Sequence, residues 1–246
     1  MKILVPISKV PDTTAKISFT DGDSKFNGEG VQWIVNPYDE WYALVRALEI
    51  VEADGGTVTV INVGDASSDP IIRKALAIGA NDAVRVDTEA TEAFVVAKQM
   101  AEYARDKGFD LIMTGKETIN YNGSEVGGMI AEFLGLPFVS LANKLEVNGD
   151  TLTLDRVIEG GVESVEVKLP AVVSAAKGMA EQRIPNMRGI MAARSKPLEV
   201  VAAVDAEPRT AYVKYGLPEV KAEVKLVDAE NMDELVNLLH NEAKVI

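Results

Sequence analysis

Through roughly the first 140 residues, short apolar runs alternate with stretches in which apolar residues recur every three to four positions. This order predicts strands joined by crossover helices in a parallel sheet. Lys2–Ile7 (KILVPI), Thr57–Gly64 (TVTVINVG), Asp82–Asp87 (DAVRVD) and Phe109–Gly115 (FDLIMTG) read as strands. Asn36–Gly56, Asp69–Ala80 and Glu92–Gly108 read as helices. The first of these is expected to take Asn36 as N-cap and Pro37 as first helical residue, and to stop at Gly55 and Gly56. The third is expected to stop at Gly108.

From about residue 141 the period shortens to two. The run KLEVNGDTLTLDRVIEGGVESVEVKLPAVVSAA is punctuated by Asn148-Gly149 and Gly160-Gly161, which predicts antiparallel hairpins and a last strand at AVVSAA. These strands either extend the parallel sheet or form a small lobe beside it. The next segment, about 177–196, carries Met179, Met187 and Met191 among several basic side chains. Residues 197–246 are rich in Pro, Lys and Glu and end in one short helix. That composition predicts an arm that buries little apolar surface alone and lies on another surface. The expected division is an α/β domain over 1–196 and an arm over 197–246.

Charge narrows the partners. The 246 residues carry 25 Lys and Arg against 38 Asp and Glu, a net charge of -13, which repels nucleic-acid backbones and anionic membranes. Without cysteine, disulfides, thiolate metal sites and a cysteine nucleophile are excluded. The single histidine, His240, falls in a polar helix pattern, so a multi-histidine metal site is not expected. The N-terminal run is too short and too broken by Pro6 and Pro11 for a signal peptide, and no apolar run reaches the roughly 20 residues of a membrane span. A bacterial cytoplasm is the expected location, with a mitochondrial matrix as the alternative.

The candidate chemistry is anion binding rather than catalysis. Thr114–Gly135 (TGKETINYNGSEVGGMIAEFLG) follows a strand and runs into a helix, with Gly123, Ser124, Gly127 and Gly128 near the helix start. Free N–H groups there suit a phosphate, although no Gly-Lys-Ser or Gly-Lys-Thr follows and no dinucleotide fingerprint is present. Close packing would explain the same glycines. Val35–Trp41 (VNPYDEW) and the strand end at Asn62, Val63 and Gly64 could line the same crevice, because ligands of open parallel sheets sit at the carboxyl ends of strands. Asp12, Asp39 and Glu117 are candidates for polar contacts, with surface or capping roles as the plainer expectation. No nucleophile elbow or helix-spaced Glu/His cluster occurs.

Taken together, ILVPISKVPD, VNPYDEWYALVRALEI, TVTVINVG with IRKALAIGANDAVRV, LIMTGKETINYNGSEVGGMIAEFLGLP, RVIEGGVESVEVKLPAVVSA and IPNMRGIMAARSKPL resemble, in order, the β subunits of electron transfer flavoproteins. The resemblance weakens after about residue 200. It implies an open, mostly parallel α/β sheet of the adenine-nucleotide-binding type, an added antiparallel segment and a C-terminal arm wrapped on a partner. It further implies a heterodimer whose α subunit carries the redox-active FAD, with AMP held structurally in this subunit. The nucleotide contacts carried over are Pro6, Asn36, Pro37, Tyr38, Asp39 and Val63, with Asn120, Tyr121, Asn122, Gly123, Ser124, Glu125, Val126, Gly127, Gly128, Met129, Ile130 and Ala131.

Electron-bifurcating members hold a second FAD in this place and typically read Asp-Gly-Asp-Thr-Ala-Gln-Val-Gly-Pro in the loop. This chain has NYNGSEVGG and keeps only Val126-Gly127 of that pattern, which favours AMP. The resemblance also implies a recognition loop that docks acyl-CoA or other flavin dehydrogenases, with a quinone reductase as acceptor. Its anchor falls on Met187, or on Ile184 if the loop is shifted by three residues, beside Ile190 and Met191. Burial of Met179, Met187 and Met191 in a core is the competing expectation. An NADH-oxidising bifurcating subunit and a free-standing ATP-binding protein of the universal-stress type remain as alternative readings.

Overall fold

A computed structural model describes residues 1–89, 92–221 and 223–246, so Ala222 of the expected arm lies outside the described residues. The chain forms two units, one of Met1–Lys16 and Gly28–Val213, the other of Ile17–Asn27 and Lys214–Ile246. In chain order the strands are β1 (Lys2–Pro6), β2 (Lys9–Pro11), β3 (Phe19–Thr20), β4 (Lys25–Phe26), β5 (Trp33–Val35), β6 (Thr57–Val63), β7 (Asp82–Asp87), β8 (Leu111–Gly115), β9 (Phe138–Asn148), β10 (Thr151–Ile158), β11 (Gly161–Lys168), β12 (Ala171–Ala175) and β13 (Leu198–Ala202). The helices are α1 (Asp39–Asp54), α2 (Asp69–Ile78), α3 (Ala93–Ala104), α4 (Val126–Leu134), α5 (Met187–Ala193) and α6 (Met232–Asn237).

The larger unit is built on one nine-stranded sheet in the order β11-β10-β9-β12-β8-β1-β6-β7-β13. The seven strands from β9 to β13 pair in parallel, and β10 and β11 continue the β9 edge as antiparallel hairpins. The period-two segment therefore extends the sheet. Residues 198–202, assigned from the sequence to the arm, pair with β7 through Leu198↔Ala83 to Ala202↔Asp87.

The alternation of side chains along β1 sorts the core into two layers. Ile3 and Val5 pack with Leu44 and Leu48 of α1 and Ile72 and Leu76 of α2. Leu4 points to the other face and packs with Met100 of α3 and Ile130 of α4. Both faces are covered by helices, which is why the central strands read as unbroken apolar runs. At about 25 cal/mol per Å² of buried apolar surface, this double burial is the main stabilising contribution.

Helix boundaries differ from the sequence expectation at two places. α1 starts at Asp39, with Tyr38 as the capping residue at φ 67° and ψ -110°, because the Asn36 side chain is engaged elsewhere. Its end is as expected, with the Gly55 N–H donating to Val51 O. α3 stops at Ala104, and Asp106 and Gly108, both at positive φ, carry the following turn. In the smaller unit the β3–β4 hairpin turns through Asp21, Gly22 and Asp23, all at positive φ, and the Phe19 ring stacks on Tyr215 at 5.1 Å. Leu217, Val220, Val224 and Leu226 of this unit are exposed.

Candidate nucleotide site at the switch point of the sheet

The chain lays down β1, β6 and β7 on one side and then returns to place β8 and β12 on the other side of β1. The direction of winding reverses between β1 and β8, and open α/β sheets take ligands outside the carboxyl ends of strands at such a point. A cavity of about 230 Å³ lies here. Pro37, Tyr38, Asp39 and Tyr42 line it from the start of α1, Lys116, Glu117, Ile119 and Asn122 from the loop after β8, and Lys177 from the chain leaving β12.

Local rules explain how these segments meet. The short β2–β5 pair ends with the Asn36 N–H donating to Ser8 O, which sets Asn36 beside β1. The fully buried Asn36 side chain then donates through Nδ2 to Glu117 O at 3.1 Å and accepts from the Ile119 N–H at 3.0 Å. One amide thus satisfies two backbone groups of the opposite loop, a use that a buried site demands. Gly115 ends β8 where a Cβ would lie 2.6 Å from the Glu40 nitrogen, so no larger residue lets α1 approach. Gly127 is limited in the same way by Thr114 Oγ1, 2.7 Å from the position of a Cβ.

The loop after β8 is held by polar side chains. Lys116 Nζ lies 2.8 Å from Glu117 Oε1 and 4.0 Å from Asp39 Oδ2. Ser124 Oγ donates to Glu117 Oε2 at 3.1 Å. Asn122 and Ser124, not the glycines, carry the left-handed backbone here, at φ 51° and 53°. The Tyr121 ring stacks on Tyr212 at 5.3 Å. α4 then begins at Val126 with no side-chain cap on its first turn, and its first bond from the chain before it is Met129 N–H to Glu125 O. The N–H groups of Val126, Gly127 and Gly128 precede that bond and carry the positive end of the helix dipole.

The site's charges influence one another. The Glu117 carboxylate is held below its usual range chiefly by its hydrogen bond from Lys116, and the Lys116 ammonium is raised by the same pair. Burial raises Asp39. Glu40 is fully buried behind the cavity and accepts from both the Ser8 N–H and Ser8 Oγ at 2.7 Å. Burial pushes its carboxyl up to about 8, against the two hydrogen bonds from Ser8, which favour the charged form.

Of the residues expected from the sequence, Pro37, Tyr38, Asp39 and Asn122 line the cavity, Asn36 lies behind them, and Ser124 reaches Glu117. Asn120, Gly123 and Glu125 lie in the same loop and are exposed. Pro6 is buried at the end of β1, and Val63 ends β6 one strand away. Gly127, Ile130 and Ala131 are buried in the packing of α4, while Gly128 and Met129 are half-buried. The N–H groups of Ile130 and Ala131 lie beyond the first turn, within the hydrogen-bonded part of the helix. Asp12 serves its own turn, accepting from the Thr14 N–H and hydroxyl. Lys177 and Tyr42 were not anticipated, and Lys116 and Glu40 lie within the two stretches expected at the crevice without having been singled out there.

The segment at 177–196 also has a definite form. Asn186 caps α5 by accepting from the Gly189 N–H at 2.9 Å. Gly189 crosses α2 so closely that a Cβ would overlap Ala77 O. Arg73 donates to Ala193 O and Lys196 O, and Lys196 Nζ donates to Leu76, Gly79 and Ala80 carbonyls at the end of α2. Trp41 Nε1 donates to Arg183 O, and the Arg183 guanidinium takes both oxygens of Glu52. Met179 is buried, whereas Ile184 and Met187 are 85% and 73% exposed, with Ile190 and Met191 exposed beside them. The expectation that all three methionines are core residues holds for Met179 alone.

Among the described residues, no three His, Asp or Glu side chains gather to hold a metal, and no helix is long and apolar enough to cross a membrane. His240 is exposed.

A doubly wound sheet with a polar crevice at its switch point defines an open α/β protein with a ligand-sized cleft where its winding reverses. The family model of the electron transfer flavoprotein domain matches residues 24–206. The chain is 36% identical to the electron transfer flavoprotein subunit beta of Bacillus subtilis, with all of both chains covered. It is 35% identical to that of Syntrophomonas wolfei, over all of this chain and 98% of the relative, and 35% identical to that of Bradyrhizobium diazoefficiens over the whole of both. The chain belongs to the electron transfer flavoprotein family and aligns along its full length with β subunits. By name its relatives are subunits of electron transfer proteins.

Proposed function

We propose that this chain is the β subunit of a heterodimeric electron transfer flavoprotein, that it binds AMP as a structural ligand in the switch-point cavity, and that the electron-carrying FAD is held mainly by the α subunit. One observation carries the AMP reading: the start of α1, the loop after β8 and Lys177 beyond β12 line one cavity at the switch point, and that loop runs on into the uncapped first turn of α4. The residues fit the ligand. The free N–H groups of Val126, Gly127 and Gly128, the Ser124 hydroxyl and the Lys116 ammonium would hold the phosphate. Tyr38 and Tyr42 offer aromatic walls to the base. AMP would stiffen the loop, and this subunit would hand no electrons itself.

The exposed apolar side chains of Ile184, Met187, Ile190 and Met191 support a docking role for the α5 segment toward acyl-CoA or other flavin dehydrogenases. Electrons would then leave the FAD for an acceptor such as a quinone reductase. A flexible methionine beside aliphatic side chains suits a surface that must accept several partners. A bacterial cytoplasm is the location in keeping with bacterial relatives.

Denaturing the purified heterodimer and identifying what it releases tests this reading. One FAD and one AMP per heterodimer is the expected result. Two flavins and no adenylate would overturn it in favour of an electron-bifurcating subunit that oxidises NADH, and a stable ATP-binding homodimer of this chain alone would overturn the heterodimer.

A further inference from the structure

The donors best placed for a phosphate already serve an anion of the protein's own. Glu117 Oε1 takes the Lys116 ammonium at 2.8 Å and Oε2 takes the Ser124 hydroxyl at 3.1 Å, so its two oxygens occupy two different donors of the loop. The backbone beneath is pinned separately, because Glu117 O and the Ile119 N–H are both bound to Asn36. The carboxylate can therefore leave while the loop keeps its shape. The side chain is 23% exposed and lies on the cavity wall, so its movement needs no opening of the core.

From this geometry we propose that Glu117 is an affinity-determining residue: its carboxylate competes with the phosphate of the nucleotide for Lys116 and Ser124. The inference rests on the reading of the cavity as an adenine mononucleotide site and assigns one residue's role within it. A phosphate that enters must displace the carboxylate from charge-assisted bonds and then lie near a like charge, and both effects weaken binding. Neither acts on a ligand without a phosphate. Glu117 would thus separate the affinity for AMP from the affinity for adenosine, and would keep the bound nucleotide exchangeable.

The test uses the full-length heterodimer freed of nucleotide, with calorimetric titration of AMP and of adenosine into wild type, Glu117→Gln and Glu117→Ala. The glutamine keeps shape and hydrogen bonding while removing the charge; the alanine removes the group and guards against an effect peculiar to the amide. Both variants are expected to bind AMP about tenfold more tightly than wild type, the equivalent of one lost charge-assisted competitor. Adenosine affinity is expected to stay within about twofold, since the competition concerns only the phosphate. Unchanged or weaker AMP binding in both variants overturns the inference and leaves the nucleotide reading standing. Weaker binding of AMP and adenosine alike would show that Glu117 holds the nucleoside, which also overturns it. If no variant and no wild-type sample binds either ligand, the nucleotide reading fails and the inference falls with it.

Discussion

Two irregular segments leave neighbouring strands of the same sheet, and they are stabilised in different ways. The one after β8, through Asn122 and Ser124, is held by its own polar side chains and by Asn36 from across the crevice. The one after β12, leading into α5, is held by bonds from Trp41 and Arg73 to its backbone, by its own Arg183 and Lys196 side chains reaching Glu52 and the end of α2, and by the close crossing at Gly189. In the first, Asn36 fixes the backbone while the loop's charged side chains bond one another, so a ligand must compete for them. In the second, backbone and basic side chains make the shape and leave the apolar Ile184 and Met187 to meet solvent. A binding crevice and a presenting platform thus differ in which groups are already engaged.

The largest expected effect comes from closing the gap between α1 and β8. Gly115→Ala drives a Cβ into the Glu40 backbone, and a loss of about 3 kcal/mol or more of stability is expected, together with loss of bound nucleotide. Urea unfolding and release analysis check this. Asn36→Ala strands the Glu117 carbonyl and the Ile119 N–H, and about 2–4 kcal/mol of destabilisation is expected. A loss equal to that of a surface substitution would mean that the crevice does not depend on its internal bonds.

Glu40 gives a pH signature. Its folded pKa, about 8, lies above the ordinary glutamate value, so the folded state holds a proton that the unfolded state releases. The Glu40 contribution is therefore most favourable below the ordinary glutamate pKa and declines as pH rises toward about 8. Glu40→Gln is expected to flatten the fall in stability between pH 5 and pH 8.5, a difference on the order of a few kcal/mol. Denaturation midpoints of both proteins across that range measure it.

Smaller effects belong to the platform. Gly189→Ala is expected to lift α5 from α2 at a cost of about 1–2 kcal/mol, with proteolytic nicking near residue 184 as the readout. Ile184→Ala and Met187→Ala are expected to change stability by less than about 0.5 kcal/mol, as exposed positions do. Under the proposed docking role they nonetheless slow electron uptake from a dehydrogenase, by about tenfold at the true anchor. Stopped-flow flavin reduction distinguishes the two residues, and unchanged rates in both would remove the docking role.

The alternation of apolar runs carried the existence of the central strands, because burial on both faces leaves an imprint on every residue of β1, β6 and β8; their order in the sheet comes from the structure. Strand, glycine and helix around Thr114–Gly135 likewise marked the crevice. Asn36 was misread because its partners, Glu117 and Ile119, are distant in sequence, and an Asn-Pro pair before a helix carries the same local signal whether or not it caps. Tyr38 took over that start by adopting a backbone that its side chain disfavours. β13 was missed for a related reason, since a short run between Pro197 and Val204 becomes a strand only when β7 offers an edge. The burial of Glu40 has no local mark at all.

The ring contact between Tyr121 and Tyr212 bears on how this molecule is born. A nascent chain emerges from its N-terminus, and earlier segments fold while later ones are still being synthesised. The loop after β8 appears near mid-translation, yet the ring that stacks against it arrives only after the edge strand β13 has been made. Until the ribosome has nearly finished, the loop after β8 lacks this ring contact, and a message cut short before Tyr212 would yield a sheet whose loop never makes it.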